Sequence, residues 1–542
     1  MYVQVPVGFL IEQSDKGFLM IPYPSHRVSL KAARLLALSL AIAVLPRTAR
    51  ASETVDPVEN WPALKALLHK EADKRPASLC RGSTLKLHAS NAVLAPDLSV
   101  LEASPVGDAT VDVPANGVLA IAFDVTEPMY ITGSVTIAAD PQDLRPGLRA
   151  YVLSDTTVVG APMIYQDVLE GHTQVDFDLP GDMPDEKTPL LKWLVAPGRH
   201  YMMVAGPHYR AAGVFKSLEL RWLTDVPQTP KYTFVQMSDT HIGHDPFDYS
   251  RLGMLHRRAH AAYQLGVALD TLRKQDTAFV LITGDLTDNA IRGQFQTLAN
   301  AIDAGGGLPV YGVVGNHDSY HTSSRPDMLE LVPSLFPGGK TNYVVNKPPL
   351  RFIIVDASYW QTPEGQWVDY YSPDMVGQDM QPQGRQWLID ALAADTTTPT
   401  LVASHYPFKV RSGKTQCGYV LDQHATEGSL QKILKAAPNV VATLSGHMHW
   451  NHRAVYQNDF GNDVTCLQGP AFCTWPGGYK VIRVYTDEKE IRLEWETRLV
   501  DNMGYVATAE PQLSYSPSLS WRISTGDDLT GEIRIPVSRV EK

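Results

Sequence analysis

The chain has 542 residues, of which 44% are apolar and only 19% are charged, so it has enough apolar side chains for more than one globular domain. This composition excludes an intrinsically disordered protein and a coiled coil. The 47 basic residues are outnumbered by 58 acidic ones, and the formal net charge of −11 excludes the broad basic surface of a protein dedicated to binding long DNA or RNA.

The first segment has the features of a secretory signal peptide. The basic stretch Arg27–Arg34 precedes the apolar run Leu35–Leu45, and the small-x-small motif Ala49–Ala51 follows. The apolar run is too short to span a bilayer core of about 30 Å. We therefore predict that residues 1–51 are a signal peptide, with Met20 as an alternative start. The mature protein is expected to be periplasmic or secreted, without a transmembrane segment.

Residues 52–228 are predicted to form an antiparallel β-sandwich. Alternating apolar residues, as in Leu119–Val125 and Leu218–Trp222, indicate strands with one buried face. Turn-forming segments such as the one at Pro180 separate the strands at short intervals, and only one short helix is expected, near Trp61–Arg75. This region has no motif that indicates catalysis. It could bind a polymer, pack beside the active site or only assist folding, and a spacer or packing module is the favoured interpretation.

A second domain is predicted over residues 229–500, after a proline-rich polar linker at Asp225–Lys231. Apolar strands alternate here with helical segments, which is typical of an α/β domain whose strands are buried on both faces. Residues 501–542 are predicted to be a tail with short strands at 521–524 and 532–537. The predicted strands are Thr233–Met237, Ala278–Thr283, Pro309–Val314, Arg351–Val355, Thr400–Ala403 and Val440–Leu444, and the predicted helices are Arg251–Gln275, Gln386–Ala394 and Glu427–Ala437.

Polar motifs follow most of these strands at the point where each strand ends. The carboxyl ends of parallel strands meet at one edge of an open α/β sheet, where ligands bind. The motifs offer carboxylates, an amide and imidazoles but no cysteine, which favours Mn, Fe, Zn or Co over a thiolate-bound zinc or calcium. They contain more ligands than one ion needs, which favours two ions that share a carboxylate and catalyse phosphoryl transfer. The motifs are Asp239-Thr-His241, Gly284-Asp285-Leu-Thr-Asp288, Gly315-Asn316-His317-Asp318, Ser404-His405 and Gly446-His447-Met-His449.

In this order the motifs resemble those of the calcineurin-like metallophosphoesterase superfamily. The resemblance covers about half of the chain and implies an α/β fold, an αββα sandwich. The pattern is most similar to the bacterial cyclic-nucleotide-phosphodiesterase-like branch, because of the run from Asp285 to Asp288 and the helix around Trp387. It differs from purple acid phosphatases, because Thr287 and its neighbours stand where those enzymes have a metal-bound tyrosine.

The resemblance also implies roles for individual residues. A metal-bridging hydroxide would attack phosphorus, Asn316 would stabilise the non-bridging oxygens, and His317 would protonate the leaving group. Asp288 would orient His317, whereas Asp318 is expected to be structural. Two transition-metal ions of uncertain identity, Mn, Fe, Zn or Co, are the implied cofactors. One ion would be held by Asp239, His241, Asp285 and His449, and the second by the bridging Asp285 with Asn316, His405 and His447.

The sequence therefore predicts an exported binuclear phosphodiesterase that acts on a small-molecule phosphoester. One alternative is a phosphomonoesterase of broad specificity. Another is a non-catalytic protein that binds an envelope polymer and keeps a vestigial phosphoesterase domain. The complete set of ligands argues against this second alternative, because loss of function usually removes ligands first. Oligomeric state is not predicted by the sequence.

Two further features leave alternatives open. Cys466 and Cys473 are either a disulfide pair or two buried thiols, because the spacing allows both. The aromatic-rich insertion Tyr359–Tyr371 either packs on the domain surface or forms a lid that offers aromatic faces, including Trp360 and Trp367, to a nucleobase or another planar leaving group.

Overall fold

The structure is a computed structural model, in which Met1–Val55 and Asp56–Lys542 are two compact units. In the first unit, β1 (Phe9–Ser14) pairs antiparallel with β2 (Gly17–Pro22). The apolar run Leu35–Leu45 of the predicted signal peptide and the predicted strand 521–524 lie outside the described residues. Among the described helices, none combines the length and the apolar composition needed to cross a membrane. The described residues are 9–14, 17–22, 66–74, 76–88, 92–95, 101–102, 111–113, 118–138, 149–154, 174–176, 193–205, 213–243, 258–408, 430–449, 451–473, 478–499, 528 and 530–536.

The β-rich region that follows contains two six-stranded sheets. One has the order β10-β13-β8-β5-β6 with β3 beside β8, and the other has the order β11-β9-β14-β4 with β7 beside β14 and β12 beside β9. The described pairings are antiparallel, as predicted, except that β3 runs parallel to β8. The strands are β3 (Ala77–Leu79), β4 (Thr84–His88), β5 (Ala92–Ala95), β6 (Leu101–Glu102), β7 (Val111–Val113), β8 (Val118–Val125), β9 (Met129–Ala138), β10 (Arg149–Ser154), β11 (Gln174–Asp176), β12 (Trp193–Val195), β13 (Gly198–Ala205) and β14 (Gly213–Trp222).

The connection Asp225–Lys231 contains neither helix nor strand, as predicted for a linker. Hydrogen bonds nevertheless attach both this connection and the preceding β-rich region to a sheet of the α/β region that follows. The backbone N–H of Lys231 donates to the carbonyl of Val484 at 2.7 Å. The phenol of Tyr130, on β9, donates to the carboxylate of Glu494, with O–O distances of 2.9 and 3.0 Å. The connection therefore lies against the sheet and does not act as a free tether.

The α/β region consists of two six-stranded sheets. The first has the order β17-β16-β15-β27-β28-β29, and the second has the order β18-β19-β23-β24-β26-β25. In the first sheet β15, β16 and β17 are parallel, and in the second β19, β23, β24 and β26 are parallel. The strands are β15 (Tyr232–Met237), β16 (Thr277–Ile282), β17 (Val310–Gly312), β18 (Tyr343–Lys347), β19 (Leu350–Ile354), β20 (Tyr359–Gln361), β21 (Trp367–Val368), β22 (Gly377–Asp379), β23 (Thr400–Ala403), β24 (Val440–Ser445), β25 (His452–Gln457), β26 (Asp463–Gln468), β27 (Gly478–Thr486), β28 (Glu490–Leu499) and β29 (Thr530–Pro536).

Two apolar cores give the predicted αββα layers. The larger core joins α1 and α2 to the first sheet and that sheet to the second, and the rings of Phe234, Phe279 and Phe352 meet across the sheets with centroids 5.1–5.3 Å apart. The smaller core lies between the second sheet and the helices α4 and α5. The αββα fold is therefore confirmed. The helices are α1 (Arg258–Lys274), α2 (Arg292–Ala304), α3 (Ser324–Leu331), α4 (Pro382–Ala393) and α5 (Leu430–Lys435).

The described part of the C-terminal tail completes the first sheet. Strand β29 pairs antiparallel with β28 as the edge strand. The preceding Asp528 is fully buried, and its carboxylate accepts the backbone N–H of Arg453 at 2.6 Å. Its carbonyl oxygen accepts the ammonium of the buried Lys480 at 2.7 Å. The tail is thus bound to the chain segment just after Gly446–His449.

The aromatic-rich insertion is a three-stranded antiparallel sheet of order β21-β20-β22. The buried guanidinium of Arg325, on α3, attaches it to the domain. Arg325 pairs with Asp356 at 3.1 Å and donates to the carbonyls of Ser358, at 2.6 Å, and Asp369. The guanidinium also lies over the ring of Tyr359, with 4.4 Å between its carbon and the ring centroid. The insertion is therefore anchored at both ends of its aromatic segment.

Replacing Arg325 by methionine is expected to lower the free energy of unfolding by about 3–5 kcal/mol, because Asp356 would stay buried without its cation. The matched control is Arg292→Met, since Arg292 pairs with Asp327 and Glu330 at the surface, where solvent screens the charges. Urea unfolding measures both variants. A loss for Arg325→Met no larger than that of the control would contradict the anchoring role.

Candidate active site

The predicted motifs come together where the parallel strands of the two sheets end. Backbone hydrogen bonds continue between neighbouring loops beyond the strands. The N–H of Asp239 donates to the carbonyl of Gly284 at 3.0 Å, and the N–H of Gly446 donates to that of His405 at 2.9 Å. The loops are thus held side by side. The strands and the residues that follow them are β15 with Asp239 and His241, β16 with Asp285, β17 with Asn316, β23 with His405, and β24 with His447 and His449.

Several of these residues have an unusual backbone conformation. A positive φ is uncommon outside glycine and costs on the order of 1–3 kcal/mol per residue. Such strain persists only where the surrounding structure enforces it, and here it turns the side chains of separate loops toward one point. The residues are Asp239 (53°), His241 (42°), Asp285 (49°), His447 (71°) and His449 (56°).

The glycines of two motifs are explained by close packing. A Cβ atom on Gly315 would lie 2.2 Å from the Asp285 carboxylate, and one on Gly446 would lie 1.7 Å from the hydroxyl of Ser238. Both distances are far below van der Waals contact. These glycines therefore allow the loops to approach each other, which is a packing requirement and not a binding role.

One group of ligand atoms lies at the end of the first sheet. Asp239, His241, Asp285 and His449 each offer an atom within 4.8 Å of the others. The Nε2 atoms of His241 and His449 are 3.1 Å apart. The same nitrogen of His241 is 3.4 Å from Oδ2 of Asp285, and that of His449 is 3.5 Å from Oδ1 of Asp239. The structure thus brings together the four residues predicted to hold one ion.

A second group shares Asp285 with the first. Its Oδ2 atom is 3.2 Å from Nε2 of His405, which in turn is 3.2 Å from Nδ1 of His447. The amide oxygen of Asn316 lies 3.2 Å from the His405 nitrogen and 3.1 Å from the His447 nitrogen. The three residues predicted for the second ion therefore surround one point, on the other side of the shared carboxylate.

Both groups fit a bound cation. Ligands held about 2.1 Å from one ion are about 3.0 Å apart in an octahedron and about 3.4 Å apart in a tetrahedron. The ligand–ligand distances here are 3.1–3.5 Å. Imidazole, carboxylate and amide donors suit Mn, Fe, Zn or Co. The donor set and its spacing therefore fit two transition-metal ions that share Asp285.

Burial and nearby charge tune these ligands. Burial, together with the charge of His405, lowers the pKa of His447 to about 3, so its ring is neutral, as a metal ligand must be. Burial lowers the pKa of His405 but the Asp285 carboxylate raises it more, to about 9. Burial opposes ionisation of Asp285, yet the neighbouring His405 and His317 hold its pKa well below the usual value. The buried Asp285 carboxylate therefore stays ionised and favours a positive charge beside it.

Hydrogen bonds select which nitrogen of each ring faces the ions. Nδ1 of His405 donates to the carbonyl of Thr283 at 2.9 Å, which leaves Nε2 as a ligand. Nδ1 of His241 lies 3.3 Å from Oδ1 of Asp288, which likewise leaves Nε2 as the ligand. These contacts orient the rings before any ion binds.

His317 lies beside this centre and belongs to neither of the two ligand groups. Its backbone N–H donates to Oδ1 of Asp285 at 2.9 Å, and its Nδ1 donates to the backbone carbonyl of Asp288 at 2.6 Å. The Asp288 carboxylate, predicted to orient this ring, is 3.8 Å away, since it faces His241 and Asn289 instead. The main-chain carbonyl therefore orients His317 through Nδ1, and Nε2 takes no part in this hydrogen bond.

Asp318 has the structural role that was predicted for it. Its buried carboxylate accepts the backbone N–H groups of Leu286, Thr287 and Gly315 at 2.8–3.0 Å. These bonds join the second and third motifs.

Cys473 is a residue of the site that the sequence prediction missed. Its sulfur lies within 4.8 Å of ring nitrogens of His241 and His449, so the prediction of a site without cysteine was incomplete. Both thiols are buried, and no disulfide joins Cys466 to Cys473. The missed signal is topological: Cys473 follows β26, which runs parallel to β24 and therefore ends at the same edge. Its N–H donates to the carbonyl of Asp239 at 3.1 Å.

Two tyrosines position the amide of Asn316 and were also missed. The Asn316 nitrogen donates to the hydroxyl of Tyr320 at 3.3 Å, and the hydroxyl of Tyr406 lies 3.5 Å from the Asn316 oxygen. Burial raises the pKa of Tyr406 well above its ordinary value, so this phenol stays protonated and donates. Together they turn the amide oxygen toward the histidines. The available signals were the position of Tyr320 three residues after His317 and that of Tyr406 next to His405.

Part of the chain is similar to known proteins. Residues 232–451 match the model of the calcineurin-like phosphoesterase family. A dimetal phosphatase from Danio rerio is similar at 18% identity and a TM-score of 0.38, over 50% of this chain and 100% of that one. A purple acid phosphatase from yellow lupin seeds is similar at 13% identity and a TM-score of 0.33, over 73% of this chain and 78% of that one. A comparison with curated proteins found no match.

Proposed function

Residues 232–451 match the calcineurin-like phosphoesterase family model, and from this premise we propose that the protein is an exported, binuclear metal-dependent phosphodiesterase that acts on small phosphodiesters. The observation that carries the proposal is the pair of ligand groups that share Asp285, with His317 next to them. This arrangement suits an in-line displacement at phosphorus, in which two cations and a proton donor are needed at the same point.

The cations would be held by the two ligand groups described above. When bound, they would supply Lewis-acid polarisation of the phosphoryl oxygens and activation of water. Asp239, His241, Asp285 and His449 would hold one ion, and Asp285, Asn316, His405 and His447 would hold the other.

The remaining steps belong to side chains of the chain itself. The Asn316 amide nitrogen donates to Tyr320, and its second N–H is the donor that would reach a phosphoryl oxygen and stabilise its negative charge. His317, with Nδ1 bound to the Asp288 carbonyl, would give the proton on Nε2 to the departing oxygen.

Preference for diesters is supported by the resemblance to the cyclic-nucleotide-phosphodiesterase-like branch. Export is supported by the signal-peptide features of residues 1–51. An exported enzyme would meet small phosphodiesters outside the cytoplasm. N-terminal sequencing of the protein recovered from a periplasmic extract or culture medium tests export, and an intact N-terminus with purely cytoplasmic recovery would contradict it.

We expect about two equivalents of transition metal per chain, as a two-metal site requires, and a larger kcat/KM for bis-p-nitrophenyl phosphate than for p-nitrophenyl phosphate. Elemental analysis and both assays are made on the same preparation. Chelation should abolish both activities, and Mn, Fe, Zn or Co should restore them. Faster monoester hydrolysis would indicate a phosphomonoesterase. Less than about one equivalent with no turnover would contradict a two-metal enzyme.

A further inference from the structure

We propose that Tyr320 and Tyr371 form an aromatic wall beside His317 that binds a planar ring in the leaving group. The favoured substrates are then phosphodiesters whose leaving alcohol carries an aromatic or heteroaromatic ring. This inference rests on the proposed function, because His317 marks the leaving-group side only if it delivers the proton.

The wall is part of a continuous row of rings that starts at His317. The ring centroids of His317 and Tyr320 are 4.9 Å apart, and those of Tyr320 and Tyr371 are 5.8 Å apart. Trp360 meets Tyr371 edge-on at 5.9 Å. All three distances lie in the range in which aromatic rings attract each other, about 4.5–7 Å between centroids.

Exposure distinguishes the binding rings from the supporting one. Trp360 is 4% exposed, so it cannot offer a free face, contrary to the sequence hypothesis that included it. Tyr371 is 44% exposed and Tyr320 is half-buried. Trp360 therefore supports Tyr371, and the exposed ring surface of the wall belongs mainly to Tyr371 and in part to Tyr320.

The wall is preformed. The N–H of Tyr371 donates to the carbonyl of Ser319 at 2.8 Å, which ties the insertion to the turn that carries His317 and Tyr320. The buried Arg325–Asp356 pair anchors the start of the insertion. Because these groups are already ordered, binding a ring against them costs little conformational entropy.

The position of the wall identifies the part of the substrate that it contacts. A general acid must lie within about 3 Å of the oxygen that it protonates. The carbon group on that oxygen therefore lies within reach of Tyr320, whose ring is next to His317, and extends toward Tyr371. A planar group can stack there, whereas a saturated ring of equal size cannot bring its atoms as close to the tyrosine faces.

The test compares benzyl methyl phosphate with cyclohexylmethyl methyl phosphate, whose leaving alcohols differ mainly in the planarity of the ring. The wild-type protein should show the lower KM for the benzyl ester. Tyr371→Ala should raise that KM about 2- to 10-fold, as expected for loss of one aromatic pair, with little change in kcat or in the KM for the cyclohexylmethyl ester. Tyr371→Phe should keep the preference.

Trp367→Ala is the matched control, since this aromatic residue of the same insertion packs on Arg385 of α4, at 5.7 Å. It should leave both KM values unchanged. Metal content and the thermal midpoint are measured for every variant. Equal KM values for the two esters in the wild-type protein, or equal effects of Tyr371→Ala on both, would overturn the wall while hydrolysis itself persists. A wild-type protein that hydrolyses neither ester and binds no metal would overturn the proposed function and the wall with it.

Discussion

Asp285→Asn is expected to reduce bound metal to less than one equivalent and to lower kcat/KM for bis-p-nitrophenyl phosphate by at least about 1,000-fold. The reason is that Oδ2 of Asp285 faces both ligand groups, 3.4 Å from His241 and 3.2 Å from His405. Asparagine preserves the shape and an acceptor for the N–H of His317, but it removes the charge that two cations would share. Elemental analysis and steady-state kinetics on the same sample measure both effects.

The matched control for this variant is Asp270→Asn. Asp270 is an aspartate on α1 that pairs with Arg273 and Lys274 at the surface. It should retain the full metal content and turnover. Circular dichroism establishes that both variants are folded. An Asp285→Asn protein that keeps two equivalents of metal and wild-type turnover would exclude Asp285 as the bridging ligand.

His317→Ala is expected to lower kcat by about 100- to 10,000-fold for diesters with poor leaving groups, which is the usual contribution of a general acid. The loss should shrink as the leaving group becomes more acidic, because a stable phenolate departs without a proton. Metal content should be unchanged, because His317 lies outside both ligand groups. Its ring bonds to the Asp288 carbonyl, and its backbone N–H, which donates to Asp285, remains in the alanine variant. A series of methyl phenyl phosphates with different ring substituents measures this, because the aromatic contact stays constant while the leaving-group pKa varies.

His321→Ala is the control for this variant, because His321 is an exposed histidine shortly after His317 in the chain. In the His321→Ala variant, the dependence of kcat on the leaving-group pKa should equal that of the wild-type protein. A uniform loss across the series for His317→Ala, accompanied by loss of metal, would show that His317 acts on the centre itself and not as a proton donor.

Local pattern was sufficient for most of the parallel strands. The strand predicted at Thr400–Ala403 is found with the same ends, and that predicted at Val440–Leu444 extends by one residue to Ser445. Both are apolar runs buried along their whole length, so periodicity alone identifies them. The helix Arg292–Ala304 and the antiparallel strand His452–Gln457 were not predicted, because their polar residues weaken the apolar pattern.

The sequence by itself determined which residues can meet at the centre, because each motif directly follows an apolar strand and parallel strands place their ends at one edge. Only the tertiary structure decided the orientation of Asp288, whose carboxylate points to His241 while its backbone carbonyl accepts the hydrogen bond from His317. It also placed Cys473 near the first ligand group and Tyr371 near His317. The physical reason is that these contacts depend on the order of strands in the sheets and on side-chain rotamers, and neither is encoded in the spacing of residues along the chain.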